Sequence, residues 1–188
     1  MKRLKPGNEF ILLTTIVFAI LILQTAGAFD KINVWVNSAL PLVDTPWMRF
    51  LTALGGDLFL ISFSTLMVYL DWRKRRGLSR RTMAFLGTVV LGLLSVLALK
   101  FALAVPRPRP DYGTYAFPSG HTFRAAVIAA YSADRWRKYA PLAWAYAVGI
   151  ALTRLLLHVH WFSDVLFSLV LAPWLYLLLK LLLGVDGE

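Results

Sequence analysis

The chain has 188 residues, 59% of them hydrophobic, and a mean hydropathy of +0.64. That is too apolar for an ordinary soluble domain of this length, and the apolar residues come in long runs, so the sequence reads as a polytopic membrane protein with one domain over residues 1–188. With no cysteine, a disulfide framework and a cysteine metal site are excluded; the net charge of +10 sits in short loops between apolar runs, which fits membrane topology and anionic headgroups rather than nucleic acid.

Six transmembrane helices are predicted, giving an all-α bundle. The first runs from about Phe10 to Ala28. Its basic start and the Ala26-Gly27-Ala28 triplet also resemble a cleaved signal peptide, which would leave five spans; the retained span is the reading adopted. Asp30 to Phe50 is amphipathic, carries Trp35 and Trp47, and reads as an aromatic anchor lying in the membrane interface, where it can flank a lipid entrance. The second span covers about Leu54 to Leu70 and the third about Met83 to Val105. Between them, Arg73 to Arg81 is a topogenic basic loop, with binding of anionic lipid as a secondary reading. The fourth span, about Ser119 to Ala133, is short and carries His121 and Arg124, so it is expected inside the bundle rather than against lipid. The fifth covers about Ala140 to Leu157 and the sixth about Phe162 to Leu183.

Thirteen of the twenty Lys and Arg residues fall on one set of span ends, among them Lys2, Arg3, Lys5, the Arg73–Arg81 run, Arg135, Arg137, Lys138 and Lys180. Of the seven on the opposite side, five lie in or beside three polar clusters described next. The bias predicts cytoplasmic termini and puts all three clusters at the extracytoplasmic surface of the plasma membrane.

The first cluster is Lys100 with Arg107-Pro108. Prolines stop the third span and hold an extended turn, from which Arg107 can grip a phosphate through two parallel hydrogen bonds while Lys100 acts as a point charge. Snorkelling to headgroups would account for either cation alone, though less well for a lysine about two turns inside a span. The second cluster, Pro118-Ser119-Gly120-His121, opens the fourth span. Ser119 is a candidate cap, the helix start offers N–H groups to an anion, Gly120 lets a phosphate approach the backbone, and His121 is placed to give or take a proton. A capped helix start is common by itself; the adjacent histidine raises the functional reading. The third is Arg154 with His160 and Asp164. Spaced by four, His160 and Asp164 would share a helix face, so the acid can fix the ring's tautomer and leave the other nitrogen basic. Such a pair is also compatible with a buried contact or a proton relay. His158 pairs less well with the acid and reads as an interface histidine. Arg109 and Arg124 are candidate substrate contacts, and for Arg124 binding the bilayer surface or pairing with a nearby acid is the alternative; Tyr112 and Tyr115 are assigned no chemistry. The histidines and carboxylates lack compact metal-ligand spacing, so no metal site is predicted.

Taken together, the clusters resemble the signature of the type-2 phosphatidic acid phosphatase superfamily, lipid phosphatases that share a fold with vanadium haloperoxidases. Its pattern is Lys, six residues, Arg-Pro; Pro-Ser-Gly-His; and Ser-Arg, five residues, His, three residues, Asp. Ten positions from Lys100 to Asp164 match, and Thr153 stands where the family most often has Ser, keeping the hydroxyl. The resemblance implies that His160 attacks phosphorus to form a phosphohistidine, that Asp164 holds His160, and that His121 protonates the leaving group and then helps water cleave the phosphoenzyme. Lys100, Arg107 and Arg154, with Ser119 and the Gly120 N–H, would bind phosphate oxygens, and no metal or other cofactor is implied.

The function expected is a membrane lipid phosphatase acting at the outer face. An isoprenyl diphosphate is the preferred substrate, with Arg109 and Arg124 as cations for a second phosphate. The alternatives are a glycerolipid phosphate such as phosphatidylglycerol phosphate or phosphatidic acid, a phosphotransferase using the same site, and a non-enzymatic transporter or scaffold. The expected partners are the bilayer and the lipid phosphate, with no nucleic acid and no oligomeric state specified.

Overall fold

The computed structural model describes residues 6–113 and 115–185. Lys2, Arg3, Lys5 and both extreme termini lie outside the described residues. Within them run eight α-helices: α1 (Pro6–Thr25), α2 (Asp30–Ala39), α3 (Pro46–Ala53), α4 (Asp57–Arg75), α5 (Arg80–Leu103), α6 (Gly120–Arg135), α7 (Ala140–Leu156) and α8 (Phe162–Leu182). No β-strand forms among the described residues, and one isolated bridge pairs Pro106 with Tyr115.

Five segments are long and apolar enough to cross a membrane: Gly7–Thr25, Pro46–Arg75, Arg80–Leu103, Arg137–Leu156 and Phe162–Leu182. The second joins α3 to α4 and so extends the expected span toward the N-terminus. The helix matching the fourth expected span, α6, is not among them. Its 16 residues rise about 24 Å, short of a hydrocarbon core of about 30 Å. Instead α6 forms the axis of the bundle and packs most extensively against α7 and α8.

The sequence of α6 explains that position. Ala125, Ala126, Ala129 and Ala130 are small and buried, so neighbouring backbones can approach closely. Phe123 fills the remaining space against α5, where a Cβ at Gly92 would run into its ring. The larger side chains Phe85, Tyr131, Phe117 and Phe167 pack in the same core through ring contacts.

The two short helices α2 and α3 bury the polar Asn33 and Thr52 against the bundle and turn large apolar side chains outward, as a segment facing lipid would. Trp35 is 67% exposed and Trp47 70%. The segment is nonetheless fixed to the bundle. Asn33 exchanges two 3.0 Å hydrogen bonds with Ser163 at the start of α8, and the Val43 N–H donates to the Leu156 carbonyl at 2.8 Å. α1 lies along α8, with the Trp174 indole donating to Thr14 at 2.8 Å.

Candidate active site

Asp164 is the third residue of α8, and its carboxylate turns back over the start of that helix. Oδ2 accepts the Trp161 N–H at 2.8 Å and lies 3.0 Å from His160 Nδ1. The expected pairing is present, but not across a shared helix face: His160 sits in the turn before α8, and a carboxylate that caps the helix reaches it from there. Both residues are almost wholly buried.

Arg107 Nη1 donates to the Val159 carbonyl at 2.8 Å and stands 3.4 Å from His160 Nε2. A guanidinium has donors only, so Nε2 faces it as an acceptor and the ring proton resides on Nδ1, shared with Asp164. Burial, followed by the charges of Arg154, Arg107 and Lys100, holds His160 well below the ordinary histidine range. The ring is therefore neutral at physiological pH, with the Nε2 lone pair turned to the cavity.

Three cations line the cavity with that ring. Lys100, in the last turn of α5, donates to the Tyr115 and Ala116 carbonyls at 2.9 and 3.0 Å. It thus braces the loop ahead of Pro118 as well as lining the cavity. Arg154, 8% exposed near the end of α7, donates through Nη1 to Thr52 Oγ1 at 2.8 Å. Thr52 Oγ1 also lies 3.0 Å from Thr153 Oγ1, so the hydroxyl at the one atypical signature position takes part in holding the arginine. The Nε atoms of Arg107 and Arg154 are buried and bonded to no described protein atom, which leaves donors for an oxyanion.

At the start of α6, Ser119 serves as the cap, accepting from the Thr122 N–H and lying 3.0 Å from the Thr122 hydroxyl. It is fully buried beneath the cavity rather than in its wall, so its bonds organise the helix start. Gly120 and His121 do line the cavity. A Cβ at Gly120 would come 3.1 Å from Arg124 Nη1, which shows how closely that guanidinium overlies the helix start. Arg124 forms an ion pair with Asp57, the first residue of α4.

The resulting cavity has a volume of about 450 Å³. Lys100, Arg107, Arg154, His121, His160 and Arg124 make its polar end, and Leu93, Val96 and Leu97 of α5 make an apolar wall. An anionic head attached to an apolar tail matches this division. Lys100, Arg107, Gly120, His121, Arg124, Arg154 and His160 are thus brought together from three clusters of the chain, with Asp164 behind His160.

Arg109, a candidate substrate contact, lies apart from these residues. It is not in the cavity wall; it pairs with Asp44 at 3.0 Å and stacks over the Tyr112 ring at 4.7 Å. Asp44 also holds Arg49 at 2.7 Å and accepts from the Tyr112 hydroxyl at 3.1 Å. Bonded first to Arg49 and then to Arg109 and Tyr112, its carboxyl lies below the usual carboxylate range. His158 is also outside the cavity: its Nε2 lies 3.1 Å from the Leu40 carbonyl, tying the turn between α7 and α8 to the end of α2. Thr52, Tyr112 and Asp57 were not singled out by the sequence. Leu93, Val96, Leu97 and Lys100 do carry a signal in it, being spaced as one helical stripe.

A sequence profile of the PAP2 superfamily matches residues 81–184. No curated protein matches the chain. Among solved structures, the crystal structure of a transmembrane PAP2-type phosphatidylglycerolphosphate phosphatase from Bacillus subtilis superposes with a TM-score of 0.74. It is 22% identical, and the match covers 98% of each chain. At that identity the likeness establishes a shared fold.

Proposed function

The chain belongs to the PAP2 superfamily, and from that premise we propose an integral-membrane lipid phosphatase that works through a phosphohistidine on His160. The observation that carries this reading is the His160 ring itself: oriented by Asp164, with Nε2 facing a cavity lined by three signature cations and a second histidine. In the first step Nε2 bonds to phosphorus as the P–O bond to the lipid breaks, and His121 gives the departing oxygen its proton. In the second, His121 takes a proton from water, whose oxygen displaces His160 and releases inorganic phosphate. Lys100, Arg107 and Arg154 neutralise the phosphoryl oxygens, so the reaction proceeds without a metal ion.

The geometry favours a glycerolipid phosphomonoester. Both cations assigned beforehand to a second phosphate are engaged by carboxylates, Arg109 by Asp44 and Arg124 by Asp57. The structural neighbour is named for a substrate of this class. An isoprenyl diphosphate is the second reading, favoured by the presence of Arg124 in the cavity wall. The whole chain acts as one domain in the plasma membrane, with the cavity facing outside.

The test is phosphate release by detergent-purified protein in EDTA, from phosphatidylglycerol phosphate and an isoprenyl diphosphate side by side. Release that needs His160 and no metal is expected, with the monoester faster. Undiminished release from His160→Ala would overturn the nucleophile assignment. Passage of phosphate to an added lipid or sugar hydroxyl, with little free phosphate, would make the protein a transferase.

A further inference from the structure

A second cavity lies at the opposite end of α5. It has a volume of about 270 Å³ and is lined by Lys74 and Arg75 of α4, Ser79 and Arg81 at the start of α5, and Arg135 and Trp136 at the end of α6. Twenty residues of helix separate Arg80 from Lys100, a rise of about 30 Å, so the two cavities belong to opposite membrane surfaces.

Its charge is only partly compensated. Arg135 is held at 3.0 Å by Asp71, a buried carboxylate that also accepts from the Ser79 N–H at 2.9 Å. Arg81 stands 3.7 Å from Asp134, whose other oxygen is taken by Lys180 at 2.7 Å. Among the described residues no carboxylate pairs with Lys74 or Arg75, which add their charge at an open rim. The first turn of α5 carries Arg80 and Arg81 and no acid. Asp71 already supplies an anion at that helix start, accepting from both the Ser79 N–H and its hydroxyl, so the cations left for a ligand are those of the rim.

A topogenic loop needs only positive charge near the membrane, with no shape. Here the charge is set around a concavity by three helices, and Arg135 is fixed by Tyr131 at 2.8 Å and stacked on Trp136 at 5.3 Å. Basic pockets between membrane helices take phosphate headgroups. This one is smaller than the roughly 300 Å³ at which pockets for whole drug-sized ligands begin, so it suits a headgroup whose tails stay in the bilayer.

We infer that the cavity between α4, α5 and α6 binds a phosphate group presented by an anionic lipid of the leaflet opposite the catalytic cavity. The test is thermal unfolding of the full chain in a neutral detergent, with added phosphatidylglycerol, phosphatidylcholine or inorganic phosphate. The variants are Lys74→Gln/Arg75→Gln and, as a charge-matched control, Arg73→Gln/Arg76→Gln, whose side chains do not line the cavity. Each shift is measured from the variant's own lipid-free midpoint. Phosphatidylglycerol should raise the wild-type midpoint more than phosphatidylcholine does; the 74/75 variant should lose most of that difference, and the 73/76 variant should keep it. Equal losses in both variants would reduce the effect to diffuse charge, and equal shifts from the two lipids would remove the anion; either result overturns the proposal. A 74/75-dependent shift of the same size from inorganic phosphate would identify free phosphate as the ligand and overturn the lipid source.

Discussion

At the residue scale, the strongest consequence concerns Thr52. Its hydroxyl is the acceptor for a guanidinium that is 8% exposed, so removing it strands a buried charged donor. Thr52→Val keeps the shape and should lower kcat/KM about tenfold, corresponding to about 1.4 kcal/mol; Thr52→Ser should restore most of it. Inhibition by inorganic phosphate should weaken in parallel in Val. An unchanged phosphate affinity would show that Arg154 does not depend on Thr52. His160 gives a prediction in pH. Its folded-state value is depressed, so the neutral ring persists below the window near 6.5 in which an exposed histidine takes up its proton. Nitrogen NMR of the substrate-free protein should therefore show a neutral His160, protonated on Nδ1, from pH 8 down to 6. Titration near 6.5 would contradict the burial argument.

These two residues also show how far the sequence could be read. His160, Asp164, Arg107 and Arg154 were legible because phosphate chemistry restricts residue type and spacing together. Thr52 was not: a lone threonine 102 positions from Arg154 has no local signal. Arg109 looked like a substrate cation because its partner, Asp44, lies far away in sequence and only the fold brings them together.

At the element scale, α6 marks the point where hydropathy stops discriminating. A helix buried by protein and one buried by lipid both read as apolar, and the length and the alanine content separate them only once neighbours are known. Its contact with α5 is strict, because the Phe123 ring occupies the space a side chain at Gly92 would need. Gly92→Ala should destabilise the protein by about 1–3 kcal/mol, read as an earlier unfolding midpoint in detergent. Phe123→Leu in the same chain should recover part of that loss, and strictly additive effects would count against the contact. The segment carrying α2 and α3 lies outside residues 81–184, yet it supplies Asn33, Asp44 and Thr52 to the surroundings of the cavity. Amphipathicity points to an interfacial segment but does not reveal its hold on Arg154.

At the scale of the whole molecule, the absence of cysteine makes orientation directly measurable. Gly77, in the turn between α4 and α5, has open space around it, and Asp111 lies in the loop near the catalytic cavity. Gly77→Cys should resist a membrane-impermeant maleimide applied to intact cells and react after permeabilisation, whereas Asp111→Cys should react from outside. The reverse pattern would invert the topology. The apolar wall of the catalytic cavity has a wider consequence. Leu97 is 53% exposed, so Leu93, Val96 and Leu97 continue the cavity into the outer surface of α5. On the proposed function, a lipid substrate would keep its tail among neighbouring lipids while its head reacts. The relevant concentration is then the mole fraction of substrate within one leaflet, not its amount per volume of water, and inert amphiphile slows turnover simply by spreading the substrate more thinly across the surface.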